Sequence, residues 1–383
     1  MEIIIEPETL RRELGVFQSL IVKDAALLEL SNLVLTATAE GKLVIFGTDG
    51  DVSLKCQTPE GSVESITAGA VCLKADKLIN ILGSIEPKVK SIRLKREEND
   101  YTSVLFGRSH FTIAGISVEA YPRISFLPSD GAKESLTIKA GLLRSLIEST
   151  TFAVASDVNK PALCGVNLQT ADGVLKSAGT DGFRIAFTES KGSEAEVFSK
   201  IIPRKAASVL LRLLNDVPGD SGLIITADFN QVYVALGEKH FAFRQITSKY
   251  PDYELAIPKE NEFKARFNLG DLKGAIKRAD LFAEKNAFSP VTLTLREGEV
   301  EITARSFELG SGREIMEAEF NGTEEKKVKL KTSYLIDFFN SLNGVGSEAV
   351  VEMSFGETSA TVWSIANAQH LEFDYKCVIT RLG

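Results

Sequence analysis

Apolar and polar positions along this chain follow two rhythms, one of period 2 and one near 3.6, and the two recur in the same order three times. Ile3 to Ile5 reads as a short strand, and Leu10, Leu14, Phe17 and Ile21 then give a helix one apolar face. The order returns as a strand from Leu136 to Ile138 with the stripe Leu142, Leu143, Leu146 and Ile147. It returns again as Phe263 to Phe267 with Leu272, Ile276 and Ala279.

After each helix stands a glycine-led hairpin: Gly41 to Ile45, Gly173 to Lys176 and Gly298 to Ile302. Glycine supplies the positive φ that tight hairpins need. Gly47-Thr48-Asp49-Gly50 recurs as Gly179-Thr180-Asp181-Gly182, and the third copy reads Ala304-Arg305-Ser306-Phe307. A second helix follows in each copy, on Leu78, Ile79 and Leu82, on Val209, Leu210 and Leu213, and on Leu335, Phe338, Phe339 and Leu342.

The three histidines, His110, His240 and His370, lie 130 residues apart, and each opens a strand-like alternation such as His240-Phe241-Ala242-Phe243. The connector Tyr121-Pro122 through Pro128 reappears as Tyr250-Pro251 through Pro258, with prolines that suit an ordered extended linker. The pattern predicts an α+β chain of three units, 1–127, 128–258 and 259–383, each long enough to bury its own core and therefore no solenoid of small repeats.

Composition narrows the class. Hydrophobic residues make up 44% of the chain and no run of 18 apolar residues occurs, so no membrane span is expected. Acidic residues stand in Met1-Glu2-Ile3-Ile4-Ile5-Glu6 where a signal peptide needs basic ones, which points to the cytoplasm. Cys56, Cys72, Cys164 and Cys377 show no CxxC spacing, which fits reduced thiols rather than a zinc knuckle or a disulfide framework. The sequon Asn321-Gly322-Thr323 has no secretory context and is read as unused.

Charge is distributed unevenly. The six helical segments (7–21, 75–85, 139–150, 203–215, 270–283 and 330–342) together carry +5, on a chain whose net charge is −8. Ordinary solvated helix faces explain so small an excess, and so would a weakly basic surface for phosphates on an acidic protein.

Catalytic signatures are lacking: no P-loop, GxGxxG, HExxH or GxSxG appears, and Gly310-Ser311-Gly312 is only a turn signal. Three histidines could suggest a zinc triad. Equivalent positions in three units sit a unit apart, however, whereas ligands must converge on one ion, so neither a metal nor another cofactor is expected. The Thr180-Asp181 turn reads as structural, with the aspartate accepting from nearby amides.

Thr180-Asp181-Gly182-Phe183-Arg184, Pro203-Arg204-Lys205, Tyr250-Pro251-Asp252-Tyr253 and the terminal Arg381-Leu382, in this order on a threefold repeat, resemble the bacterial β sliding clamp, the processivity subunit of the replicative DNA polymerase. The resemblance runs the length of the chain. It implies three clamp-type domains, each with two helices on antiparallel sheets, and a head-to-tail homodimer closing into a six-domain ring around duplex DNA. It further implies no catalysis, and as partners the polymerase catalytic subunit, the clamp loader, and repair and translesion polymerases.

A partner-peptide pocket would then draw Leu163, Thr180, Gly182, Phe183, Arg184 and Ile185 from the second unit. Pro251, Leu255 and Ala256 would come from the connector, and Val378 and Arg381 from the end of the chain. The DNA channel would use Lys23, Arg144, Lys160, Arg204, Lys205, Lys273 and Lys277, and the dimer interface would bring Phe111 and Ile113 against Leu281 and Phe282 of the next copy. Many relatives end in Met-Pro-Met-Arg-Leu where this chain has Val378-Ile379-Thr380-Arg381-Leu382-Gly383, and Leu255 stands where some carry arginine. Two other readings fit the same residues: a specialised clamp paralogue, for example one that tolerates an inhibitor, and a metal-dependent enzyme on a repeated scaffold.

Overall fold

A computed structural model describes residues 1–21, 28–128, 134–191, 198–282, 290–342, 344–366 and 372–383. One element order, β-α-β-β-β-β-α-β-β-β, occurs three times among the described residues, with two additional strands in the first copy and one in the third. The first copy runs β1 (Glu2–Ile5), α1 (Pro7–Gly15), β2 (Asn32–Ala37), β3 (Leu43–Thr48), β4 (Val52–Gln57), β5 (Val63–Thr67), β6 (Gly69–Lys74), α2 (Ala75–Ser84), β7 (Ile92–Arg96), β8 (Thr102–Phe106), β9 (Ser109–Ile113) and β10 (Gly115–Ile116). The second runs β11 (Glu134–Lys139), α3 (Ala140–Thr151), β12 (Gly165–Ala171), β13 (Val174–Thr180), β14 (Arg184–Lys191), β15 (Ser199–Pro203), α4 (Arg204–Asn215), β16 (Gly222–Ala227), β17 (Gln231–Leu236) and β18 (Lys239–Arg244). The third runs β19 (Phe263–Asn268), α5 (Leu269–Ala279), β20 (Pro290–Arg296), β21 (Glu299–Ser306), β22 (Gly310–Glu317), β23 (Glu319–Phe320), β24 (Lys326–Lys331), α6 (Thr332–Ser341), β25 (Val350–Phe355), β26 (Ala360–Ala366) and β27 (Asp374–Thr380).

Packing groups these elements into two compact units, Met1–Gly141 with Ser208–Gln245, and Leu142–Ala207 with Ile246–Gly383. The first holds a five-stranded sheet, β5-β1-β7-β8-β9, and a nine-stranded one, β10-β6-β2-β3-β4-β18-β17-β16-β11. The second holds a nine-stranded sheet, β15-β12-β13-β14-β27-β26-β25-β19-β23, and a four-stranded one, β22-β21-β20-β24. Successive copies share each nine-stranded sheet, which removes open edges that would otherwise invite aggregation.

The apolar stripes become the core. Leu10 and Leu14 of α1 with Phe17, and Leu78 and Leu82 of α2, are buried in the first unit; Leu272 and Ile276 of α5 and Leu335, Phe338 and Phe339 of α6 are buried in the second. Trp363 is fully buried beside Phe338 at 6.0 Å and Phe267 at 6.2 Å. The hairpin glycines Gly41, Gly173 and Gly298 have φ of 71°, 74° and 77°, the left-handed conformation a side chain would oppose. No helix among the described residues is long and apolar enough to cross a membrane.

Two parts of the repeat differ from the sequence reading. His110 and His240 each take the second position of the third strand after the second helix of their copy, opposite Leu105 and Ala235. In the third copy strand pairing gives that position to Lys376, because Ser364 opposite Lys376 matches Ala235 opposite His240. His370 lies outside the described residues, ahead of β27 in the sequence. Likewise, the positive-φ glycine of the third turn is Gly310 (φ 99°) rather than a counterpart at Phe307. Ser306 Oγ there accepts from the amides of Glu308 and Leu309.

Candidate partner and nucleic-acid interfaces

The second turn shows how the chain positions Arg184. Asp181 Oδ1 accepts from the amides of Phe183 and Arg184, while Thr180 Oγ1 accepts from Gly182 N and donates to the Arg184 carbonyl. Gly182 supplies the φ of 92° that closes the turn. Asp49 and Thr48 make the corresponding bonds to Asp51, Val52 and Gly50, so this motif is a structural turn in both copies.

From that turn the Arg184 side chain runs inward and is only 8% exposed. Its guanidinium donates to Asp337 Oδ2 at 2.6 Å, Asp181 Oδ2 at 3.2 Å and the Phe152 carbonyl at 2.7 Å. It also lies over the rings of Tyr334 (4.4 Å) and Phe152 (5.3 Å). Arg184 is therefore a clasp that joins β14 to α6 and to the chain after α3. Around it opens a cavity of about 400 Å³ whose walls include Lys160, Phe183, Arg204, Tyr334 and Asp337. Burial raises the Tyr334 hydroxyl above its usual value.

Ile185 points to the other face of the sheet, as consecutive strand residues must. It packs with Ala178, Phe187, Tyr253, Val362 and Val378, under Tyr250 and Ile257. Tyr250 Oη donates to the Ala178 carbonyl at 3.2 Å, and Lys176 Nζ ties the connector to β13 through Glu254 at 2.6 Å. Pro251, Leu255 and Ala256 lie exposed on this side, Leu255 at 84%, and Leu163 is half-buried in a short 3-10 turn, Pro161–Leu163. Arg381 donates to the carbonyls of Gly356 and Thr358 and so clasps the β25–β26 turn.

The expected pocket residues thus fall on two faces: Arg184 with the α6 residues, and Ile185 and Val378 with the connector. Sequence reasoning missed Tyr334, Asp337, Phe152 and Tyr253. The i, i+3 spacing of Tyr334 and Asp337 put both on one helix face, but nothing in the sequence linked that face to a strand 153 residues away.

Of the basic candidates, Lys160 and Lys277 are exposed and Arg144 is half-buried on α3. Arg204 and Lys205 are exposed in the first turn of α4. Lys273 Nζ donates to the Phe339 carbonyl near the end of α6, and burial, with Lys277 adding, lowers its pKa. Lys23 lies outside the described residues. Phe111 is 42% exposed and stacks on Phe106 at 5.8 Å, Leu281 is 74% exposed, and Ile113 is buried within its own chain at 3%. Among the described residues no group of three or more His, Cys, Asp and Glu side chains is placed to hold a metal.

The patterns that define the DNA polymerase III beta subunit match the chain in succession: N-terminal domain at residues 1–125, central domain at 137–252 and C-terminal domain at 254–380. A beta sliding clamp of Haemophilus influenzae is 32% identical over 314 residues, covering 81% of this chain and 82% of that one. One from Staphylococcus epidermidis is 27% identical over 323 residues, 83% of each. The DnaN sliding clamp of Pseudomonas aeruginosa bound to griselimycin aligns over 100% of this chain and 99% of its own, with a TM-score of 0.87 and 25% identity. The Bacillus subtilis sliding clamp shares the fold over 100% of this chain and 99% of its own, with a TM-score of 0.87 at 22% identity. Tandem clamp domains along the whole chain define a replication clamp subunit. The chain belongs to the DNA polymerase III beta subunit family, the beta sliding clamps.

Proposed function

We propose that this chain is a DNA sliding clamp: two copies, joined head to tail, close a ring of six domains (1–127, 128–258 and 259–383 in each) around duplex DNA in the cytoplasm. The ring tethers the replicative polymerase, the clamp loader, and repair and translesion polymerases without catalysis of its own. Phosphate electrostatics from Arg144, Lys160, Arg204, Lys205 and Lys277 hold the duplex without base readout, so the ring slides. Partners dock by a short peptide between the connector face around Ile185, Pro251 and Val378 and the exposed Phe183.

One observation carries the ring. Within the chain, β4 pairs with β18 and β14 with β27 in the same antiparallel register, Leu54 opposite Phe241 and Ala186 opposite Cys377. Each junction joins the fourth strand of one copy to the third strand after the second helix of the next. β22 and β9 are the remaining members of these two sets, and both stand at sheet edges. In the same register a second copy would pair Gly312 with Phe111, Ser311 with Thr112 and Gly310 with Ile113. A Cβ at Gly312 would approach the Phe282 ring to 2.8 Å, so the Phe111 side chain, on the same face as its cross-strand partner, comes to lie against Phe282.

Retention on DNA tests the reading. After loading, the dimer should stay on nicked circular plasmid at about 0.5 M salt, where electrostatic binding is screened, and run off the same plasmid once linearised. Replacing Leu281 and Phe282 by aspartate should give folded monomer of 41.7 kDa that is retained on neither. Equal loss from circular and linear DNA would reject encirclement.

A further inference from the structure

A second groove lies wholly within the unit formed by Met1–Gly141 and Ser208–Gln245. It has a volume of about 460 Å³, and its walls are Val34, Phe46, Lys55 and the connector from Tyr121 to Leu127. Strand register builds its floor: Val34 stands opposite Phe46, Phe46 opposite Lys55 and Lys55 opposite His240, a transverse row on one face of the sheet. The connector builds its wall, with Tyr121 edge-on to Phe46 at 5.5 Å, and Phe126 edge-on to Phe46 at 5.7 Å and 6.4 Å from His240.

The corresponding row of the other unit is Ala178, Phe187 and Lys376, and there the connector fills the space, with Tyr253 on Phe187 at 5.9 Å. Tyr121-Pro122-Arg123-Ile124 replaces Tyr250-Pro251-Asp252-Tyr253, so the second aromatic is lost and an arginine stands where the aspartate was. The groove is left open, and the charge at that connector position changes sign.

One of its cations has no anion among the described residues. Lys55 is half-buried between Phe46 and His240 and makes no ion pair or hydrogen bond among the described residues, and the exposed Arg123 likewise makes none. The Glu119 carboxyl, held below its usual range first by the Ser117 hydroxyl, also feels the Arg123 charge. Phe46 on the floor, aromatic walls, the half-buried Lys55 ammonium and the exposed Arg123 make a recognisable complement: a large apolar side chain next to a carboxylate.

We propose that this groove docks an extended segment of a partner protein carrying an acidic residue beside a leucine or phenylalanine. The apolar side chain enters between Phe46, Tyr121 and Phe126, and the carboxylate pairs with Lys55 or Arg123. The proposal is independent of the pocket near Arg184.

The probe is a fluorescein-labelled octapeptide, Gly-Ser-Asp-Leu-Phe-Glu-Ser-Gly, titrated by anisotropy into the full-length protein. Lys55→Glu and Arg123→Glu should each weaken binding about tenfold or more, while Lys376→Glu, at the matching position of the other unit, leaves this site within about twofold. Arg123 is exposed on the connector, so its variant decides the matter should Lys55→Glu fail to fold. A benzophenone in place of the peptide phenylalanine should crosslink within residues 46–55 or 121–127. Wild-type affinity in both Lys55→Glu and Arg123→Glu, crosslinks confined to residues 246–257 or 374–380, or no saturable binding at about 1 mM peptide, each overturns the proposal.

Discussion

Replacing Arg184 by methionine keeps much of the side-chain length and removes the charge, and its cost follows from what the guanidinium holds. The bond to the Phe152 carbonyl and the contact with Asp181, whose side chain is 18% exposed, leave partly buried acceptors unsatisfied when lost, at about 1–3 kcal/mol together. The 2.6 Å pair with Asp337 is worth less, about 1 kcal/mol, because that carboxylate is 41% exposed and screened by water. Contacts with Tyr334 and Phe152 add about 0.5–1 kcal/mol each, partly recovered by methionine packing on the same rings. The expected loss is about 2–4 kcal/mol, against about 1 kcal/mol for Asp337→Asn, with the double variant less destabilised than the sum by about 1 kcal/mol. Trp363, the single tryptophan, is buried against α6 and reports this unit directly, so urea unfolding followed by its fluorescence is the assay. A loss below about 0.5 kcal/mol for Arg184→Met, or strict additivity with Asp337→Asn, would refute the clasp.

Cysteine chemistry and acid stability give two further outcomes. Burial pushes the Cys72 thiol up to about 12 and raises Cys56 and Cys377 as well, whereas Cys164 is half-exposed, so native protein should titrate about one thiol with Ellman's reagent and four in denaturant. Rapid reaction of two or more native thiols would contradict the packing. Hydrogen bonds from Arg313, Arg278 and Lys327 hold the carboxyls of Glu301, Glu314 and Glu325 below the usual range. Their contribution is present above the unfolded value, about 4.3, and is lost as pH falls through the folded values. The thermal midpoint should therefore hold from about pH 7 to 5 and drop below about pH 4, less so in high salt. Calorimetry showing a drop that begins above pH 5 would assign acid sensitivity to other groups.

Local rules carried the reading where they were strong. Apolar stripes marked six helices among the described residues, although the first, read through Ile21, ends at Gly15 with a 3-10 turn to Ser19. The hairpin glycines at Gly41, Gly173 and Gly298 marked turns that need positive φ. The Tyr-Pro connectors marked ordered chain, with Tyr121 and Tyr250 hydroxyls bonded to the sheets they cross. The fine register of the third copy was hidden, since strand pairing gives Lys376 the place that even histidine spacing suggested for His370. Arg184 and Ile185 were grouped in one pocket, although strand alternation sends them to opposite faces and could have been applied from the sequence. The carboxylate that holds Arg184 was out of reach, because a pairing across 153 residues leaves no local trace.

The central claim is that β9 of one copy pairs with β22 of another and that two such pairings close the ring. A Thr112→Cys, Ser311→Cys double variant tests it most directly, since these positions face each other in the register of the two junctions inside the chain and lie within disulfide reach in an antiparallel pair. Oxidation at micromolar protein should yield a single doubly crosslinked dimer, of mass about twice 41.7 kDa, that denaturants do not separate and reductant returns to monomer. Uncrosslinked monomer, or an open ladder of trimers and longer chains, would contradict head-to-tail closure at two subunits.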